Sequence, residues 1–372
     1  MSDVVLITGG AGFVGSHLAD SLLKQGYGVR VFDNLAAQVH PDGRPGYLHP
    51  EVELVSGNMR DIDALARAVR GVHTIFHLAA AVGVGQSMYE ISYYIASNTQ
   101  GTANLLQAIL DTKASVRKLV VASSMSIYGE GKYLCAECGE VATPPRPLEQ
   151  LRAKQWEALC PCCPRVLSPI ATDESKPLQC TSIYALSKKH QEEMTLLFGR
   201  TYGLPVVALR YFNIYGPRQA LSNPYTGVAA IFASRLLNHR SPLLFEDGRQ
   251  MRDFVSVHDV VQANLLAMQC SEADGMALNI GSGAPITISE VAAELIECLG
   301  EQVPVEVTGK YRAGDIRHCF ADISAARSVL GYQPRYRFSD GIVELVGWLK
   351  SQTAVDKTAD MVRELSAYGL TA

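Results

Sequence analysis

A phenol and an ammonium stand one helical turn apart in Tyr184-Ala185-Leu186-Ser187-Lys188. Residues four apart share a helix face. Lys188 can therefore hold positive charge near the Tyr184 hydroxyl and lower a pKa that starts at about 10. A phenolate available near neutral pH is a general base for an alcohol about to lose a hydride. Alone, the spacing recurs by chance on many amphipathic helices. Its meaning comes from the other end of the chain.

There, Val4-Val5-Leu6-Ile7 runs into Thr8-Gly9-Gly10-Ala11-Gly12-Phe13-Val14-Gly15, and His17 to Leu23 reads as helix. Strand, glycine turn and helix in that order are the context a dinucleotide motif requires. Gly10, Gly12 and Gly15 satisfy one glycine spacing; Gly9, Gly12 and Gly15 satisfy the wider one. Either way one glycine makes the turn, one admits a pyrophosphate and one lets helix pack on strand. The helix N-terminus offers free N–H groups and partial positive charge to phosphates. A second strand, Gly28 to Phe32, ends at Asp33. A carboxylate there grips a ribose 2′-hydroxyl and repels a 2′-phosphate, so NAD is expected rather than NADP.

Cysteines suggest a second kind of chemistry. Cys135/Cys138 and Cys160/Cys163 are two C-x-x-C pairs with 21 residues between them, slightly beyond the usual zinc-ribbon interval of about 15–20. Four thiolates would close a tetrahedral shell around zinc, a structural site rather than a catalytic one. Cys162 is an alternative ligand, and an exposed loop of unligated thiols is the competing reading. Cys180, Cys270, Cys298 and Cys319 read as small buried hydrophobes. His77, at a strand end, reads as a packed residue rather than a base.

The elements that must position these groups follow from pattern. Apolar runs at Glu53–Val55, Thr74–Ala80, Lys118–Ser124 and Val206–Arg210 alternate with helical patterns at 62–70, 97–110 and 185–202. Such alternation predicts an α/β fold with a doubly wound parallel sheet of the Rossmann type. Residues 1–215 are expected to form the NAD-binding domain, interrupted by the cysteine-rich insertion 131–170. Residues 216–372 are expected to form a smaller α/β substrate-binding lobe, with a helix after the capping-box pattern Thr287-Ile288-Ser289-Glu290. Ser123-Ser124 and Asn213 fall just after strand ends, where such sheets bind ligands.

With 372 residues, 48% of them hydrophobic, the chain can bury a substantial core. A net charge of −4 gives no electrostatic footprint for nucleic acid or an anionic membrane. No apolar run reaches the length of a membrane span, and Met1-Ser2-Asp3 runs straight into the first strand. A cytoplasmic protein is expected, and there the nine cysteines would form no disulfide framework.

Taken together, these residues resemble the extended short-chain dehydrogenase/reductase family and, within it, the nucleotide-sugar 4-epimerases. The resemblance covers nearly the whole chain apart from the insertion. It rests on the glycine turn, Asp33-Asn34, His77-Leu78-Ala79-Ala80, Ser123 to Gly129, Tyr184 with Lys188, Arg210 to Arg218, Arg252-Asp253-Phe254-Val255 and Arg312-Ala313-Gly314-Asp315. It implies that Tyr184 is the acid/base, that Lys188 binds the nicotinamide ribose, and that Ser124 hydrogen-bonds the reacting sugar oxygen. Gly9, Gly12, Phe13, Val14, Gly15, Asp33 and Asn34 would hold the adenosine side of NAD, with Asn58 and Met59 at adenine. Asn58 stands where the family usually has Asp. Leu78, Ala79, Ala80, Asn98, Ser123 and Tyr211 would line the rest of the cofactor pocket. Ser126, Asn213, Phe245, Arg252 and Arg312 would face the substrate, the two guanidinium groups on its diphosphate.

The same resemblance narrows the reaction. The family's 4,6-dehydratases place an acidic pair where Met125 and Ser126 stand, and its decarboxylating members place Glu at Ser126. A net reductase would normally use NADPH, which Asp33 disfavours. What remains is transient oxidation at C4 and return of the hydride to the opposite face. An insertion of more than forty residues between Gly129 and Asp173 resembles that of the dTDP-L-rhamnose 4-epimerases, which implies dTDP-L-rhamnose and dTDP-6-deoxy-L-talose as substrate pair. A UDP-hexose 4-epimerase is the alternative. A non-enzymatic scaffold using a ribbon to dock nucleic acid would need a basic face. Instead, Lys132, Arg146, Arg152, Lys154 and Arg165 are nearly cancelled by Glu137, Glu140, Glu149 and Glu157. A homodimer is implied, through helices 97–110 and 185–202.

Overall fold

The computed structural model describes residues 3–312 and 314–371; Met1, Ser2, Ala372 and Ala313 of the expected 312–315 motif lie outside the described residues. Seven parallel strands form the central sheet: β1 (Val4–Thr8), β2 (Gly28–Asp33), β3 (Glu53–Ser56), β4 (Thr74–His77), β5 (Lys118–Ser124), β6 (Val206–Tyr211) and β7 (Ala277–Ile280). Their order is β7-β6-β5-β4-β1-β2-β3. Helices cover both faces, so the inner strands are apolar throughout rather than alternating; Leu119, Val120 and Val121 are wholly buried. The winding reverses between β1 and β4, and a ligand crevice opens there. Register brings the carboxyl ends together: Thr8 lies beside Phe32 and His77, and Ser124 beside Tyr211.

Helix α1 (Phe13–Lys24) follows the glycine turn. The helix Ile183–Tyr202 starts at Ser182, whose hydroxyl accepts the Ala185 N–H at 3.1 Å, and stops at Gly203 with φ of 69°. These are N-cap and left-handed C-cap devices. Both helices begin earlier than the pattern implies, at Phe13 and Ile183, and the Tyr184 and Lys188 positions are helical as expected.

The expected division at 215/216 is crossed. The helix Val257–Gln269 packs against α1, and β7 joins the central sheet beside β6. Only the remainder forms the smaller lobe, around Phe232, Leu236, Phe254, Leu295 and Leu345. Its helix Ile288–Leu299 carries the predicted reciprocal cap between Thr287 and Glu290.

The insertion is a small antiparallel sheet in which Lys132–Cys135 pairs with Gly139–Val141 and Ser168–Ile170. Tyr133, Cys135, Ala158, Cys160 and Leu167 make its core. All nine cysteines are unpaired; Cys319 is buried as expected, whereas Cys180, Cys270 and Cys298 are half-buried. Among the described residues, no helix is long and apolar enough to cross a membrane.

Candidate active site and cysteine centre

A cavity of about 630 Å³ opens over the carboxyl ends of the sheet. Its lining includes Gly9, Gly12, Phe13, Val14, Gly15, Asp33, Asn34, Asn58, Met59, Leu78, Ala79, Ala80, Ser123 and Tyr211, the residues expected at a cofactor. Ser124, Ser126, Tyr184, Lys188, Asn213, Phe245, Arg252 and Arg312 line the same cavity. Asn98 does not. Wholly buried in a π-helical turn, it donates to Ala81 O and Ser187 Oγ and accepts the Ala81 N–H at 2.7 Å. Its amide is spent pinning the segment after β4, and Ser97 takes the place at the wall.

The glycines divide their work as the wider motif requires. Gly9 has φ of 70°, and a Cβ there would meet Ala79 backbone at 2.8 Å. Gly15 packs on Gly9 and Gly10, while Gly12 meets only Gly9 O, at 3.3 Å, and otherwise faces the cavity. Gly10 is pressed against Val31 instead. No side chain caps α1, so its first N–H groups are available to an anion. Asp33 accepts the Ala11 N–H at 3.1 Å and the Leu35 N–H at 2.9 Å, bracing the loop from the tip of β2. A carboxylate has lone pairs beyond these two. A pyrophosphate-bearing dinucleotide fits this cradle.

Tyr184 stands beside Ser124 at the cavity wall, and its ring meets Tyr94 edge-on at 6.4 Å. Burial raises the phenol above its ordinary pKa, and the Ser124 hydroxyl partly offsets that. The expected lowering by Lys188 is not present without cofactor. Burial holds the Lys188 ammonium down to about 7, Glu192 opposing, and its Nζ donates to Gln191 Oε1 at 2.9 Å. Gln191 in turn donates to Thr102 at 2.9 Å, and His77 bridges Thr8 and Thr102 at 2.8 Å each. Burial, reinforced by Lys188, pushes His77 down to about 3. It is a neutral packed residue, as its sequence context indicates.

Behind the serines lies a buried network. Ser123 donates to Glu192 at 2.6 Å, Arg210 pairs with the same carboxylate, and Arg210 Nη1 reaches the Tyr128 hydroxyl at 2.7 Å. It fixes the end of β5, where Ser126 donates to Ser124 Oγ at 2.9 Å. On the opposite wall Arg312 lies 4.7 Å above the Phe245 ring and pairs with Asp315 at 2.9 Å. The buried Asn213 Oδ1 lacks a partner among the described residues. It is a polar atom awaiting a donor.

Pattern reading missed three cavity features. Gln38 donates to Gln86 and Asn223, bridging the mouth. Gln219 and Gln250 line the substrate side. The helix Thr358–Ala367 lies at the opening, bringing Met361 and Leu365 to the wall, with Leu370 just beyond its end, while Glu364 accepts from Tyr89 at 2.8 Å and from Tyr225. Only the apolar period of that last helix was available as a signal.

The sulfurs of Cys135, Cys138, Cys160 and Cys163 all lie within 4.8 Å of one another, with Cys163 3.5 Å from Cys135 and 3.7 Å from Cys138. Zinc–thiolate bonds of about 2.3 Å give a tetrahedron with edges of about 3.8 Å, so the donor set fits that ion. The Glu137 and Cys138 backbone holds the Cys135 sulfur down to about 6, while the neighbouring thiols push Cys138 and Cys163 up, so the metal-free cluster carries its charge on Cys135. That favours the thiolate a metal needs. Cys162 is exposed and stands outside the group.

Comparison with known proteins agrees with this architecture. Residues 5–153 match the NAD dependent epimerase/dehydratase family, and residues 167–345 match GDP-mannose 4,6 dehydratase. The chain is 35% identical to the dTDP-L-rhamnose 4-epimerase of Burkholderia thailandensis over 94% of its own length and 95% of that protein's. It is 32% identical to a putative UDP-glucose 4-epimerase of Methanocaldococcus jannaschii, over 94% and 99% of the two chains. The Thermus thermophilus UDP-glucose 4-epimerase, solved with NAD, superposes with a TM-score of 0.74 at 30% identity, covering 94% of this chain and 99% of that one. A glycine cradle, a half-buried Ser–Tyr pair and an adjacent lysine at the switch point, on a fold shared end to end with these proteins, place the chain in the NAD-dependent epimerase/dehydratase family.

Proposed function

We propose that the protein is an NAD-dependent nucleotide-sugar 4-epimerase acting on dTDP-L-rhamnose and dTDP-6-deoxy-L-talose. The observation that carries the reaction class is the meeting of Ser124, Tyr184 and Lys188 on one wall of the cavity. NAD, held by the glycine cradle and Asp33, supplies a hydride acceptor that later returns what it took. Tyr184 takes the C4 hydroxyl proton and gives it back, Ser124 holds the sugar oxygen, and Lys188 has donors left for the nicotinamide ribose. Arg252, Arg312 and Asn213 hold the diphosphate. Met125 and Ser126 supply no acid for dehydration or decarboxylation. The likeness to the B. thailandensis enzyme supports the substrate choice, while the M. jannaschii relative supports a UDP-hexose as second reading.

Incubation with dTDP- and UDP-sugars in deuterated water, followed by NMR at C4, separates these readings. Inversion at C4 of dTDP-L-rhamnose without deuterium uptake is expected. Stoichiometric NADH release, or inversion of UDP-hexoses alone, would overturn the respective part.

The cysteine centre belongs to the same proposal as a structural zinc site. Protein purified without chelator should carry about one zinc per chain by elemental analysis, and Cys138→Ser should lose it. Wild-type protein without metal would refute the site. We also propose a cytoplasmic homodimer built through the faces of Gly101–Asp111 and Ile183–Tyr202, where Leu197 is 56% exposed; a monomer in sedimentation would exclude the dimer.

A further inference from the structure

The segment from Arg312 to His318 forms the rim of the substrate-side wall, yet many of its supports come from the insertion. Arg312 is held by Asp315, and Arg252 donates to the Arg317 carbonyl at 3.0 Å and to the Ile316 carbonyl. Both arginines therefore take their direction from this one stretch of backbone. From the insertion, Arg146 donates to the Asp315 carbonyl at 3.0 Å and ion-pairs with Glu246 at 2.8 Å, without hydrogen-bond alignment at that oxygen. Its other guanidinium arm donates to Trp156 O at 3.0 Å. The Trp156 ring lies 6.5 Å from that of Tyr311.

Glu157 is the second strap. Its Oε1 accepts from the wholly buried Arg317 at 2.5 and 3.1 Å, and its Oε2 from His318 at 2.8 Å. His318 Nδ1 accepts the Met251 N–H at 3.1 Å, which leaves Nε2 as the protonated nitrogen facing Glu157. Burial alone would raise the Glu157 carboxyl, but His318 and Arg317 outweigh it and hold the group down to about 2. Arg317 also reaches Glu246 at 2.8 Å and Asp247 at 2.6 Å, directly after the Phe245 that underlies Arg312. Glu157 precedes Ala158, which is buried in the insertion core and accepts the Leu167 N–H at 2.9 Å. Cys160 and Cys163 close that same loop.

We propose that the insertion is a metal-stapled clamp on the diphosphate subsite, in which Glu157 and Arg146 are positioning residues for Arg252 and Arg312. The cysteine centre thereby sets affinity for the nucleoside diphosphate without touching it. This rests on the nucleotide-sugar and metal readings above. Removing a charged strap leaves its buried partner unpaired, and the arginines that share this backbone then lose their alignment on the ligand.

The test uses the full-length, NAD-loaded protein with dTDP and UDP as calorimetric probes. Glu157→Ala, Arg146→Met and Cys138→Ser should each weaken binding of the better probe about tenfold. KM for the nucleotide sugar should rise in step, while bound NAD and kcat at saturation change less than about twofold. Restoring zinc to metal-stripped wild-type protein should restore the affinity. Arg312→Ala serves as control. If it weakens binding but Glu157→Ala and Cys138→Ser do not, the clamp is wrong and the nucleotide site stands. If Arg312→Ala also has no effect, the diphosphate assignment falls and the clamp with it. A parallel loss of kcat and NAD in Glu157→Ala would mean general destabilisation and would overturn the positioning role.

Discussion

Replacing Tyr184 by Phe should lower kcat about a thousandfold, within the range typical of a lost general acid–base, while bound NAD and nucleoside-diphosphate affinity hold. The substitution deletes one oxygen. The ring keeps its edge-on contact with Tyr94, and the backbone N–H of residue 184 keeps its 3.0 Å bond to Ser87, so geometry around the site survives. What disappears is the proton carrier beside Ser124. Because burial already keeps the unliganded phenol protonated, the charged form becomes available only through the assembled complex, and no neighbouring group can replace it. His77 is locked neutral behind the wall, and Lys188 is committed to Gln191 until a cofactor ribose offers an alternative. Turnover by Tyr184→Phe within about tenfold of wild type would remove Tyr184 from the chemistry.

Alanine at either of two neighbouring glycines should lose NAD, but for different reasons. At Gly15 a Cβ would lie 2.5 Å from Gly10 Cα and 2.6 Å from Gly9 O. Those obstacles are backbone and cannot swing aside, so α1 must lift from β1. We expect Gly15→Ala to cost about 3 kcal/mol or more, visible as a large drop in thermal midpoint, with loss of bound NAD. Gly12 has φ of −75° and only one atom near its missing Cβ, at 3.3 Å. Gly12→Ala should therefore fold with a cost of less than about 1 kcal/mol, yet retain little NAD, because the methyl projects where the pyrophosphate must approach. Full NAD occupancy in Gly12→Ala would show that the phosphates lie elsewhere. An unchanged midpoint for Gly15→Ala would refute the packing argument.

Much of this site is legible from local pattern. The glycine turn is recognisable because each glycine answers a constraint within a few residues along the chain. Tyr184 and Lys188 can be paired because helical spacing alone puts them on one face. The sheet strands announce themselves as apolar runs because both faces are covered. The cysteine pairs announce a four-sulfur cluster because each C-x-x-C turn aims two thiols the same way.

Other assignments depended on contacts between residues far apart in sequence, and no periodicity encodes those. Strand β7 is short and carries Asn279 in its centre, whose amide is satisfied only by Tyr128, Thr172 and Asp322; so the lobe boundary read from pattern was crossed. Asn98 has the right type for a cofactor contact, but folding turns its amide to Ala81 and Ser187. Lys188 has the right spacing to tune Tyr184, but desolvation and Gln191 decide its state in the free protein. Glu157 and Arg317 stand 160 positions apart and look like ordinary surface charges until folding buries Arg317 among Glu157, Glu246 and Asp247. Sequence thus determined which chemical groups are present and which local turn each occupies. Tertiary structure decided which of them meet, because a buried charge or amide takes whatever partner the packing brings within reach and water cannot substitute for it.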